Sequence, residues 1–183
     1  QTLSFKVNNA TSKSITVEMA FAHSTTNGNG LAIYDSSKAI KDSSLKYNIE
    51  DFVDIPKKEV TIAAHAQVIM TAKVTMPRGM DTGILSGGVS FKEKEGNQES
   101  GSSKGVSIKN EYRYVIALVT QQNIQKVSPQ LKLNEVKATQ VNSRNVFAAN
   151  LQNISPTYLQ DMNATATVKG VTNSELKYSF ENS

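Results

Sequence analysis

The chain has 183 residues, of which 38% are hydrophobic, 20% are charged and none is cysteine, so disulfides, thiolate metal sites and cysteine nucleophiles are excluded. The formal net charge of +4 is evenly divided, since residues 1–122 carry 14 basic and 12 acidic groups and residues 123–183 carry 6 and 4. Without a basic cluster, the composition argues against nucleic-acid binding.

Alternating apolar and polar residues predict β-strands through the first part of the chain. Odd-numbered positions of residues 15–21 are apolar and predict an inward face. Residues 67–76 place Met70, Ala72, Val74 and Met76 on one face. Shorter strands are predicted at residues 3–7, 31–34, 60–62 and 88–91.

Three further segments complete this part. Residues 111–119 end nearly all apolar, which predicts a central strand covered on both sides. Residues 48–55 predict one helical turn with acidic residues near its start, stopped before Pro56. Residues 92–105 are polar and Gly/Ser-rich, and predict a hairpin loop.

A domain boundary is predicted between Val119 and Leu131, where the apolar run ends and Pro129 follows. Strands resume at residues 131–136, 145–151, 164–168 and 176–180. These four strands are half an ordinary sandwich and bury too little surface to be comfortable alone. The predicted fold is therefore all-β: two tandem immunoglobulin-like β-sandwich modules, residues 1–122 and 123–183, the second incomplete.

Glycine-rich motifs have structural and functional interpretations. The motif Asn27-Gly28-Asn29-Gly30 predicts a hairpin turn. A turn is favoured over a calcium-binding loop that includes Asp35, because the aspartate-rich register and the distal glutamate of such a loop are missing. Gly83, Gly87 and Gly88 predict a bend or bulge. The alternative is a groove floor against which a glycan or peptide lies.

Catalysis is not expected. His23 and His65 are the only histidines, and the neighbours His23 and Ser24 would point to opposite faces of a strand. The two histidines are poorly spaced for zinc, and no third ligand is evident. A wall-modifying hydrolase would need paired carboxylates, a spacing that the scattered acidic residues do not give. We therefore expect no enzyme activity, no metal and no cofactor.

The order of motifs resembles the WxL-interacting proteins of Gram-positive bacteria. The first part contributes Asn27-Gly28-Asn29-Gly30 before Ile33-Tyr34, then Met76-Pro77, then Gly83-Ile84-Leu85-Ser86-Gly87-Gly88. The second part contributes Pro129-Gln130-Leu131-Lys132-Leu133, Val141-Asn142-Ser143-Arg144-Asn145-Val146 and Asn150-Leu151-Gln152-Asn153. The resemblance covers nearly the whole chain.

That resemblance implies a peptidoglycan-binding module followed by the start of a host-binding module. It implies an extracellular protein associated with the cell surface or cell wall. The implied partners are peptidoglycan, a WxL-domain surface protein and a host extracellular-matrix protein. Membrane attachment would use an anchor absent from this chain, since no run approaches the roughly 20 apolar residues of a membrane span.

The binding site is predicted at Asn27, Asn29, Tyr34 and Arg78. The two asparagines would hydrogen-bond amides of peptidoglycan, Tyr34 would supply a flat face, and Arg78 would pair with a carboxylate. The motivation is that loops at a sandwich end commonly carry recognition. The alternative is a protein–protein scaffold that binds its partner by strand-edge augmentation, without direct glycan recognition.

Overall fold

The computed structural model describes residues 1–34, 42–80, 82–94 and 112–182. The chain separates into two compact units, Gln1–Ile124 and Gln125–Ser183. The strands of the first are β1 (Thr2–Asn8), β2 (Ile15–His23), β3 (Thr25–Thr26), β4 (Ala32–Ile33), β5 (Val53–Asp54), β6 (Glu59–Ile62), β7 (Gln67–Val74), β8 (Ile84–Lys94) and β9 (Arg113–Gln121). Those of the second are β10 (Leu131–Val141), β11 (Arg144–Asn153), β12 (Ala164–Lys169) and β13 (Lys177–Asn182).

Two antiparallel sheets face each other in the first unit. One has the strand order β1-β7-β5 and the other β6-β2-β8-β9, while β3 and β4 form a separate hairpin. The core between the sheets holds Val17, Met19, Ile55, Val60, Ile62, Met70, Ala72, Val89 and Phe91. Each large apolar side chain buried there stabilises the fold by about 1.5–3 kcal/mol.

The predicted alternation is confirmed in the central strands. Val17 and Met19 of β2 are buried, and Met19 lies opposite Phe91 of β8. Met70, Ala72 and Val74 are buried on the inner face of β7, whereas Met76 lies beyond the end of that strand. The alternating apolar side chains of both sheets therefore point into the same core.

The predicted helical turn is confirmed as a 3₁₀ helix, Ile49–Phe52. The side chain of Asn48 accepts a hydrogen bond from the backbone N–H of Glu50 and caps its start. Most of the predicted loop at residues 92–105 lies outside the described residues, as does Asp35.

The prediction of a central strand at residues 111–119 is wrong, because β9 is an edge strand of its described sheet. Tyr114, Val115, Ile116 and Val119 are between 41% and 75% exposed. Phe5 of β1 meets Phe91 of β8 edge to face, with ring centroids 5.4 Å apart. The edge of the three-stranded sheet thus lies over β8. On the inward face of β9, Leu118 packs on Ile49, Met80 and Leu85, whereas Tyr114 and Ile116 remain exposed.

The second unit consists of two hairpins, β10-β11 and β12-β13. The register of β10 and β11 shifts between Leu133 and Glu135. None of the side chains that the structure describes in this unit is buried. The predicted fold class is confirmed in that the described chain is all-β and divides into two units, while the boundary between residues 122 and 123 stays a prediction.

Candidate functional site

The predicted site residues lie on loops that leave the first unit at the same end. The last residue of β2, His23, pairs with Gly87 near the start of β8, and Ser24 N donates to Ser86 O at 3.0 Å. The segment after β2 and the turn before β8 therefore share one end of the sandwich. We call this the loop end: the β3-β4 hairpin, Tyr34, the 3₁₀ helix and residues 77–80.

The turn of the β3-β4 hairpin is held by the side chain of Asn27. Its Oδ1 accepts the backbone N–H groups of Asn29 at 2.9 Å and Leu31 at 3.0 Å. The predicted turn is confirmed, with the positive φ of 79° at Gly30. Since the oxygen of Asn27 serves the turn, its amide N–H groups are what it presents to a ligand, beside the exposed side chain of Asn29.

Tyr34 packs its ring on β8 directly over Gly88. A Cβ at residue 88 would lie 2.7 Å from Cγ of Tyr34, and a Cβ at residue 87 would collide with the ring of Phe21. The predicted bend is confirmed at Gly83, which has a φ of 96°. It is wrong at Gly87 and Gly88, because β8 pairs there in unbroken register with β2 and β9. The two glycines instead make room for two aromatic rings.

Arg78 lies on an exposed turn between the buried residues Pro77 and Met80. The turn has a positive φ of 81° at Gly79, whose carbonyl accepts a hydrogen bond from the Tyr47 hydroxyl at 3.2 Å. Met80 packs beneath it with Ile49 and Leu85. The guanidinium of Arg78 forms no ion pair with any residue in the described ranges, so it can meet an anionic ligand.

The structure thus brings the four predicted residues to one end in two groups. Asn27 and Asn29 share a turn, and Tyr34 follows the same hairpin. Arg78 lies in the connection between β7 and β8. Among the described residues, no hydrogen bond or ion pair joins it to the other three. The Thr25 hydroxyl in the same hairpin is buried without a hydrogen-bond partner in the described part of the chain.

A polar cluster at the loop end was missed from sequence: His23 and Asn48 are buried, and the Glu50 side chain is 33% exposed. Oε1 of Glu50 accepts the backbone N–H of His23 at 2.9 Å and lies 2.9 Å from its Nδ1, while Asn48 donates to Oε2 at 3.2 Å. Desolvation raises the pKa of Glu50, but the hydrogen bonds from His23 and Asn48 outweigh it and hold that pKa below its usual value. The cluster ties the 3₁₀ helix to the end of β2.

The cluster does not form a chelate. In the described residues, no three histidine, cysteine or acidic side chains are grouped so that they could hold a metal ion. The one sequence signal for it was the inward position of His23, two residues after Phe21 on β2. Its acidic partner comes from another loop, which periodicity alone does not reveal.

Within the described ranges, no helix is both long and apolar enough to span a membrane.

Polar loops gathered at one end of a β-sandwich are where such folds commonly carry recognition residues. Residues 1–93 match the family model described as "WxL Interacting Protein, peptidoglycan binding domain". Residues 103–183 match the one described as "WxL Interacting Protein, host binding domain". The chain belongs to the WxL-interacting protein family, as its motifs predicted, and the family describes its two parts as binding domains.

Among solved structures, the chain is similar at low identity to chains from a chaperone-adhesin complex and from two chaperones. A chain of the chaperone-tip adhesin complex of CFA/I fimbriae biogenesis is 8% identical with a TM-score of 0.46, over 98% of this chain and 72% of that one. The class 5 fimbriae chaperone CfaA is 11% identical with a TM-score of 0.45, over 100% and 92%. The CupB2 chaperone of Pseudomonas aeruginosa is 8% identical with a TM-score of 0.40, over 98% and 91%. No curated protein matches the chain.

Proposed function

We propose that this chain is a non-enzymatic adaptor of the bacterial cell surface, whose first module contacts peptidoglycan and a WxL-type surface protein. The second module would bind a host protein, such as one of the extracellular matrix. The observation that carries the proposal is the family match of both parts to binding domains, together with the polar loop end of the first unit.

The loop end offers the chemistry that peptidoglycan requires. Acetamido and peptide carbonyls would accept hydrogen bonds from the amide groups of Asn27 and Asn29. A peptide carboxylate would pair with the guanidinium of Arg78. Tyr34 has one ring face against Gly88 and is half-buried, so a ligand would meet its remaining exposed surface. Recognition by shape and hydrogen bonds fits the modest net charge of the chain.

Co-sedimentation with purified cell walls tests this proposal. The triple variant Asn29→Ala, Tyr34→Ala, Arg78→Ala is expected to lose binding, because it removes the exposed amide, ring and cation together. A matched control is Asn8→Ala with Lys13→Ala: both residues are exposed, and they lie near the opposite end of β2. If the triple variant sediments like the unaltered chain, the loop end is not the wall site.

The dependence of wall binding on salt and on a WxL-domain protein distinguishes a shaped glycan site from charge attraction and from indirect attachment. Binding through a shaped site persists at high salt, whereas loose charge attraction to the wall is screened. Sedimentation that requires an added WxL-domain protein would instead mean that the chain reaches the wall only through that protein. This outcome would refute direct glycan recognition while leaving the adaptor role intact.

A further inference from the structure

The first half of the inward face of β9, at Tyr114 and Ile116, is exposed in the described structure, whereas Leu118 further along the strand packs on the loop-end core. Tyr114 and Ile116 pair with Phe91 and Val89 and point to the same face as these residues. Yet Phe91 and Val89 are 8% and 1% exposed, while Tyr114 and Ile116 are 75% and 49% exposed. Because side-chain exposure rises sharply from β8 to β9 at these positions, the facing three-stranded sheet ends above β8.

The strand at that limit, β1, has an unpaired backbone edge in the described structure. Gln1 exchanges both backbone hydrogen bonds with Val74, and Asn9 N donates to Ala66 O. The odd-numbered residues of β1 therefore face β7, and by antiparallel alternation the even-numbered residues direct N–H and C=O groups away from it. These outward residues are Thr2, Ser4, Lys6 and Asn8.

From these two features we infer that the edge of β1 accepts one extended segment of another protein, which adds a fourth strand to this sheet and covers Tyr114 and Ile116. The outward N–H and C=O groups of β1 would pair with the incoming backbone. Alternate apolar side chains would pack on the exposed row of β9. We call this surface the strand-acceptor edge: Thr2, Ser4, Lys6, Asn8, Tyr114 and Ile116.

Charge indicates what the outer face of that segment carries. On the outer face of the sheet, Lys73 of β7 lies opposite Asp54 of β5. Lys6 of β1 lies opposite Ile69 and has no ion-pair partner among the described residues. A directly opposed residue of opposite sign stabilises an antiparallel pair. The fitting segment therefore alternates apolar residues with polar ones that include an acid near Lys6.

The edge of a second copy does not fit there. In every copy β8 lies under β1, as the contact between Phe5 and Phe91 shows, and β9 extends one strand further. Pairing β1 with the β1 of another copy would bring two β9 strands into the same space. Only a single extended segment that carries no second sheet can pair with β1 here. This site uses none of the loop-end residues, so it does not rest on the proposed wall binding.

The test uses the 183-residue chain and a capped heptapeptide with valine and isoleucine at alternate positions and threonine and glutamate between them. On titration, amide hydrogen exchange should slow at Ser4, Lys6 and Asn8, while Leu3, Phe5 and Val7, already bonded to β7, change little. A peptide of the same composition without alternation is the control. No binding at millimolar peptide, or protection elsewhere only, would overturn the proposal.

Substitutions locate the site. Ser4→Pro removes one outward N–H from an edge strand without touching a bond to β7, and should abolish binding, whereas Ser4→Ala should not. Tyr114→Ser should weaken binding about tenfold or more through lost apolar contact. Val115→Ser, on the opposite face of β9, should leave it unchanged. Equal binding by Ser4→Pro and Ser4→Ala would refute backbone pairing at β1.

The absence of cysteine from the chain allows a second readout that does not depend on affinity alone. In Ile116→Cys the single thiol lies on the inward face, and the peptide should slow its alkylation several-fold. In Val115→Cys the thiol lies on the outer face, and its alkylation should not change. Protection of both thiols, or a dimer of the chain that Ser4→Pro dissociates, would contradict entry of a single segment.

Discussion

Gly88 of β8 lies beneath the ring of Tyr34, and the two residues fit because residue 88 has no side chain. A Cβ there would lie 2.7 Å from Cγ, 2.8 Å from Cδ1 and 2.9 Å from Cβ of Tyr34. These atoms are close to the backbone of Tyr34, so the ring cannot yield by moving its far end. The contact fixes the segment after the β3-β4 hairpin on the sheet.

Gly88→Ala should displace Tyr34 and lower the free energy of unfolding by about 1–3 kcal/mol, the range for overpacking a close contact. Denaturant unfolding measures the loss, and wall co-sedimentation should weaken in parallel if Tyr34 belongs to the site. Gly28→Ala is the control, because a Cβ at residue 28 meets nothing within 4 Å. Unchanged stability of Gly88→Ala would show that the ring is not held on this glycine.

Glu50→Gln should flatten the acid side of the stability–pH profile. Hydrogen bonds from His23 and Asn48 hold the pKa of Glu50 in the folded state below its ordinary value of 4.5. Ionised Glu50 therefore stabilises the fold above about pH 4.5, and this contribution is lost as the pH falls through the lower folded pKa. Urea unfolding between pH 7 and pH 3 measures the slope, in roughly the window where carboxyls titrate.

The control for this profile is Glu93→Gln, an exposed carboxyl near the end of β8. It should leave the acid slope close to that of the unaltered chain. Identical profiles for Glu50→Gln and Glu93→Gln would mean that the cluster with His23 does not contribute to acid stability.

Asn9→Asp should be strongly destabilising at neutral pH. Asn9 is 1% exposed, and its Nδ2 donates to the carbonyls of Lys13, Ile62 and Ala63 at 2.8–3.1 Å. A carboxylate would replace that donor and face three carbonyl oxygens, at a cost of about 2–4 kcal/mol. The deficit should shrink at acid pH, where the aspartate is protonated.

Asn8→Asp provides the matched control for this substitution, because the neighbouring side chain is exposed. Its stability should change by about 0.5 kcal/mol or less. Thermal and urea unfolding of both variants give the comparison. If Asn9→Asp unfolds like Asn8→Asp, the three bonds of Asn9 do not hold the turn against β6 and β7.

Hydrogen exchange should separate the two units of this chain. Two-stranded sheets without buried side chains are marginally stable, because little apolar surface offsets the conformational entropy of ordering them. Amides of β10–β13 should therefore exchange much faster than those of β2, β7 and β8, whose core side chains are buried. Equal protection in both units would contradict the exposed state of the second.

Periodicity predicted the strands well where each one spans a single core. Residues 15–21 and 67–76 alternate, and Val17, Met19, Met70, Ala72 and Val74 are buried in β2 and β7. Residues 145–151 and 164–168 also lie in strands, β11 and β12, although the side chains described there are not buried. The helical turn was predicted because acidic residues near its start and a following proline are local signals, whereas its cap by Asn48 was found in the structure.

Features that depend on neighbours in space were predicted wrongly or missed. The apolar run at residues 111–119 indicated a central strand, but the extent of the facing sheet decides whether such a run is covered. The pairing of His23 with Glu50 joins residues 27 apart in sequence. Gly87 and Gly88 accommodate rings from other segments, which their own sequence cannot specify.

The sequence by itself determined that this protein is all-β, that its motifs are those of the WxL-interacting protein family, and where the turn at Asn27–Gly30 and the helical turn after Asn48 lie. These follow from side-chain alternation and turn chemistry, which act over a few residues. The tertiary structure alone decided that four loop residues share one end and that, among the described strands, β1 and β9 lie at the edges of their sheets. Both depend on which strands become neighbours, and that is set by how two sheets of unequal width pack on one core.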